Sequence, residues 1–201
     1  MLKEILKELR RHAPFTAIGA ATGILILVGI ILANVFFAVV EISSNIFYIL
    51  HPLHIMLSAI ATTAIYKLHK PKCKIWKAVL IGGFGAIGIA TLSDCVIPFL
   101  GEIILKLPNR GIHLGIIAKP IPTAVSAILG IFIGFNWTRT KIPHFGHILI
   151  STWASLFHIF MAVGHTINIS IIPIIFLFLF LAVWLPCCLS DIVFPLIFTA
   201  K

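Results

Sequence analysis

The first thing the sequence lacks is charge. Only 10% of its 201 residues are Asp, Glu, Lys or Arg, where soluble domains carry about a quarter. Acids are the scarcer sign, six against fifteen basic residues, for a formal net charge of +9. Cysteine is sparse too, at four. No CxxC occurs, so nothing supports a disulfide framework. H-E-x-x-H, G-x-S-x-G and the P-loop are missing, which leaves zincin, nucleophile-elbow and P-loop chemistry without support. Long polar linkers are also missing, and the expectation is one membrane domain over 1–201 with no soluble domain.

What is present is apolar. The chain is 60% hydrophobic with a mean hydropathy of +1.15, and a spanning helix needs about 20 mostly apolar residues. Six spans are expected, near 15–40, 47–66, 76–100 (extending as far as Leu107), 116–136, 143–163 and 170–198. The opening MLKEILKELRRHAPF carries acids and no cleavage pattern, so it does not read as a signal peptide. Leu2, Ile5, Leu6 and Leu9 recur opposite Lys3, Lys7 and Arg10, which predicts a short amphipathic helix on the membrane surface before the first span.

Charge then orients the spans. With the N-terminus inside, twelve of the fifteen basic residues fall on the inner side, and only Lys106, Arg110 and Lys119 fall outside. Basic residues collect in cytoplasmic loops. The expectation is therefore a multi-pass protein of the inner or plasma membrane with both termini cytoplasmic. The same bias accounts for the +9 without a nucleic-acid partner.

Three blocks recur in order. Thr16-Ala17-Ile18-Gly19-Ala20 with Gly23 resembles Thr123-Ala124-Val125-Ser126-Ala127 with Gly130. HPLHIMLS (51–58) resembles HFGHILIS (144–151), and Leu92-Ser93-Asp94 with Pro98 resembles Leu189-Ser190-Asp191 with Pro195. This predicts an all-α fold of six helices built as two repeats, about 15–107 and 116–198. Three spans per repeat put the second copy upside down, an architecture common among transporters.

His51 and His54 are i,i+3, on one helix face, and Asp94 falls at a similar depth by the helical rise. His144, His147 and Asp191 repeat the set. With the spans above, the two His-His-Asp clusters are expected near opposite membrane faces, about 15 Å apart. Two imidazoles and a carboxylate suit zinc, iron, nickel or manganese. Ser58, Ser93, Ser151 and Ser190 are candidate supporting partners, and Cys95 and Cys188 lie near the aspartates as further thiolate ligands. An intramembrane carboxylate is costly and points to function. Glu41 and Glu102 read as solvated acids at span ends, and His158 lies in mid-span with Ile65 as its unlike counterpart in the first repeat. Gly82, Gly83, Gly85 and Gly88 offer a small-residue face for close helix contact.

The leading reading is a transporter or channel for a cation, a divalent metal among the candidates. Its partners are the lipid bilayer and a small ion or solute, and a homo-oligomer is compatible. An intramembrane metal-dependent enzyme is the alternative, opposed by histidine pairs on opposite faces. A b-type haem site ranks low, because each histidine pair comes from one helix. A structural or assembly protein, with His and Asp as buried polar contacts, is the remaining alternative.

Overall fold

The computed structural model describes residues 2–138, 141–164, 167–188 and 194–198, and every regular element among them is helical. In hydrocarbon each backbone N–H and C=O must be paired within its own segment, which favours helices in a chain this apolar. The order is α1 (Leu2–Leu32), α2 (Phe36–His69), α3 (Ile75–Thr91), a π-helical turn (Leu92–Val96), α4 (Ile97–Ile104), α5 (Gly115–Ala118), α6 (Pro120–Asn136), α7 (Lys141–Val163), a 3₁₀ turn (Ile169–Ile171), α8 (Ile172–Cys188) and α9 (Phe194–Ile197). Five stretches are long and apolar enough to cross a bilayer: His12–Leu32, Phe36–His69, Ile75–Ile104, Phe145–Val163 and Ile169–Cys187.

The boundaries depart from the expected ones in four places. The N-terminal amphipathic segment is not a separate helix; it runs into the first span as one continuous α1. That span stops at Leu32, not near 40, because Asn34 takes a left-handed conformation (φ 57°). The Asn34 and Val35 amides then bond back to Ile31 and Ile30, the Schellman closure that ends helices. Glu41 consequently lies inside α2, exposed. The expected fourth span is broken at Lys119-Pro120, since a residue before proline disfavours the α region. What remains is the 17-residue α6, about 25 Å long at the helical rise and short of the ~30 Å hydrocarbon core.

α2 is the hub, with α3, α6 and α7 packed on it. Small residues let the backbones approach. A Cβ at Gly130 would run into the Met56 carbonyl and Ala59, and one at Gly134 would meet Ile60. Gly82 and Gly85 face Thr63 and Thr62, whereas Gly83 only grazes Ile131 and Gly88 meets nothing within 4 Å. The expected small-residue face therefore reduces to Gly82 and Gly85. On the other flank Gly19 and Gly23 face Thr152 of α7, and the Trp184 indole ties α8 to the Leu9 carbonyl of α1. These pairings run α2 antiparallel to α3 and parallel to α6.

Candidate functional site

The site begins with a backbone irregularity. Pro98 has no N–H to give, and the helix upstream of it widens into a π turn over Leu92–Val96. The Ile97 N–H reaches back to the Leu92 carbonyl and passes over Ser93. The freed Ser93 carbonyl accepts the Ser155 hydroxyl of α7 at 3.1 Å. The wider turn buries Ser93, Asp94 and Cys95 together. Such single π turns recur at functional sites.

Asp94 is fully buried and saturated. Its Oδ1 accepts the hydroxyls of Ser93 (2.7 Å) and Ser151 (2.8 Å). Its Oδ2 accepts from Nδ1 of His51 (2.9 Å) and of His54 (2.8 Å). A carboxylate offers about four lone-pair sites, and all four are used. Both imidazoles therefore donate from Nδ1. The two Nε2 atoms are buried and without a hydrogen-bond partner, and in the neutral tautomer they are acceptors. Buried polar atoms of this kind are rare. Pro52 lies between the two histidines inside α2, so the polar layer coincides with backbone interruptions in both helices that build it.

The second histidine motif does not form a distant cluster. His147 stacks on His54, with ring centroids 5.6 Å apart and planes at 17°, and Ser151 bonds Asp94 directly. The predicted 15 Å separation is wrong for these residues. Its depth estimate started the second helix at residue 47, but α2 starts at Phe36, eleven residues earlier. That shift of about 16 Å carries His51 and His54 toward mid-helix, where antiparallel α7 presents His147 and Ser151. Ser58 is buried one turn beyond His54. His144 lies on α7 with its side chain outside the described residues, as do Ser190 and Asp191 entirely.

Cys187 joins this layer. One donor atom from each of His54, His147 and Cys187 lies within 4.8 Å of the others, and all three residues are buried. Of the two thiols near the aspartates, Cys95 packs against Phe47 and Ala154, and the Cys188 side chain is outside the described residues. The adjacent pair at 187 and 188 was the available signal for the third donor.

A second acid–histidine pair lies two turns along α7. Glu102 is fully buried, contrary to the expected solvated acid. Its Oε1 accepts Nδ1–H of His158 at 2.7 Å and its Oε2 accepts the Gly111 N–H at 3.1 Å. His158, unmatched in the first repeat, thus has a carboxylate partner, and its Nε2 takes a long contact of 3.4 Å from the His113 N–H. These bonds fasten the 105–114 loop over the end of α7. Burial, with His158 nearby, lowers the proton affinity of His113 below its ordinary value. Phe47 separates the two clusters, stacked on His51 at 5.4 Å and edge-on to His158 at 5.3 Å. Gly115 closes the same side, because a Cβ there would collide with the His51 ring.

Comparison with known proteins finds no family profile, curated protein or solved structure that matches the chain. Function is therefore argued from this geometry.

Proposed function

We propose that the chain is a multi-pass membrane transporter or channel for a cation, with the Asp94 layer as its intramembrane station. The observation that carries the reading is the pair of buried, unpartnered Nε2 atoms on His51 and His54, aimed by one saturated carboxylate. Apolar helices do not need a carboxylate inside a span, and its cost there is several kcal/mol on the scale of about 2.5–3.5 for a charged side chain at the centre. Neutral imidazoles with bare nitrogens are cation ligands.

Two features support the finer architecture. Gly23 of α1 faces Thr152 of α7, while Gly130 of α6 faces Ala59 of α2. These are corresponding positions of the two repeats, as an inverted duplication requires. Lys67 and Lys70 at the end of α2 donate to the carbonyls of Phe135 and Phe198. The basic residues so gathered at one end favour a cytoplasmic location for that end and for both termini.

An intramembrane metal-dependent enzyme is the second reading. The stacking of His147 on His54 favours it, because one member of each histidine pair then lies in the same layer. An enzyme would retain its ion, and a transporter would pass it. Elemental analysis and equilibrium dialysis of detergent-purified protein test the shared premise. The expected result is a divalent cation bound by the wild type and lost in Asp94→Asn and His54→Ala. A wild type that binds none, or an Asp94→Asn variant that binds as well as wild type, overturns it.

A further inference from the structure

We infer that the ion is a divalent cation of the zinc class, ligated by His54 Nε2, His147 and Cys187, with Asp94 outside the coordination shell; this rests on the cation reading above. One donor atom from each of the three residues already lies within 4.8 Å of the others, and of the two His54 nitrogens Nδ1 is engaged by Asp94, which leaves Nε2 for the ion. A tetrahedral ion with bonds of about 2.0–2.3 Å needs donors about 3.3–3.8 Å apart. From 4.8 Å, binding would draw the donors together by about 1.0–1.5 Å.

Asp94 is a poor direct ligand, because both of its oxygens are committed to four donors. It is well placed for another task. Metal-binding histidines commonly give their second N–H to a carboxylate, which fixes the tautomer and raises the basicity of the ligating nitrogen. His54 shows that arrangement, with Nδ1 on Asp94 and Nε2 left bare in the protein interior.

The donor set chooses among cations. Magnesium and calcium take about six to eight oxygens, and manganese also prefers oxygen donors. Here the near donors are two imidazoles and a thiol, which suit zinc and cobalt(II). Charge selects the valence. A bound Cys187 thiolate and the Asp94 carboxylate together balance a divalent ion, so the loaded site is neutral where uncompensated charge is expensive. The thiol proton leaves to solvent as the ion binds. Three protein donors leave a fourth position for water or for an exchanging ligand. The donors come from α2, α7 and α8, so loading would tie the first half of the chain to the second.

Cobalt(II) titration of the purified full chain tests this. The expected result is one cobalt per chain, with a near-ultraviolet thiolate-to-cobalt charge-transfer band. Cys187→Ser removes the band and weakens zinc binding by about tenfold or more, while Cys95→Ser and Cys188→Ser keep both. Should Cys187→Ser not purify, X-ray absorption of zinc-loaded wild type decides the point through one sulfur in the first shell. Stoichiometric cobalt without sulfur overturns this ligand set and leaves the cation reading standing. Loss of the band in Cys188→Ser instead overturns the assignment of Cys187. Failure to bind any cation overturns both readings.

Discussion

Four hydrogen bonds converge on Asp94, and their directions set the protonation of two neighbouring imidazoles. Two substitutions separate that role from simple packing. Asp94→Ala leaves two imidazole N–H groups without their acceptor, at about 1–3 kcal/mol for each that water cannot reach, while the Ser93 and Ser151 hydroxyls fall back on longer contacts to the Ala90 carbonyl and the Ser93 hydroxyl. It should unfold or fail to accumulate in membranes. Asp94→Asn keeps the shape. Its oxygen can still accept both serines, and its amide N–H groups can donate to the two Nδ1 atoms. Both histidines then carry their proton on Nε2, where it blocks ligation. The variant should fold, with a thermal midpoint within a few degrees of wild type by circular dichroism, and bind no cation. At this scale the sequence was informative about His51, His54 and Asp94, because i,i+3 spacing and the helical rise already bring them together. It marked the Cys187-Cys188 pair without singling out Cys187. Neighbouring helical residues point about 100° apart, and nothing in Cys187-Cys188 says which faces inward. Glu102 was misread because an acid at the end of a hydrophobic run looks the same whether water or His158 receives it.

Helix packing and loop closure carry separate consequences. Gly130→Ala would drive a methyl group into the Met56 carbonyl, and Gly115→Ala would drive one into the His51 ring. Overpacking costs about 1–3 kcal/mol, so both should lower the unfolding midpoint in detergent, whereas Gly88→Ala, with nothing within 4 Å, should not. The 105–114 loop should loosen in acid. His113 has an ordinary value of 6.5, and burial lowers it in the fold. The unfolded or opened loop therefore binds more protons, and closure weakens as pH falls through 6.5 toward the lowered value. Amide exchange at Gly111 and His113 should be faster relative to a reference helix at pH 5.5 than at pH 7.5, and His113→Gln should flatten the difference. Five of the six expected spans were legible from hydropathy, since each needs a long apolar run; the fourth falls short as the 17-residue α6. The interruptions were less so. The turn at Asn34 rests on one residue in a left-handed conformation, and the π turn at Leu92–Val96 depends on Ser155 of α7 accepting the role of partner to Ser93. No local pattern records that contact.

For the whole molecule, orientation and pathway are the consequences to test. A reporter fused after Lys201 should be active only as a cytoplasmic fusion; an externally active fusion would reverse the topology. Recurring blocks were visible in the sequence, and depth along the helices was not, because the long α2 could not be told from a shorter span preceded by a loop. That single difference in helix start brought HPLHIMLS and HFGHILIS to one layer. The central claim is that a cation crosses the membrane by way of that layer. Zinc uptake into proteoliposomes, followed with an entrapped fluorescent indicator, tests it most directly. Saturable uptake is expected of the wild type, and a rate no greater than protein-free vesicles of the folded Asp94→Asn variant. Equal uptake by the two proteins would contradict it.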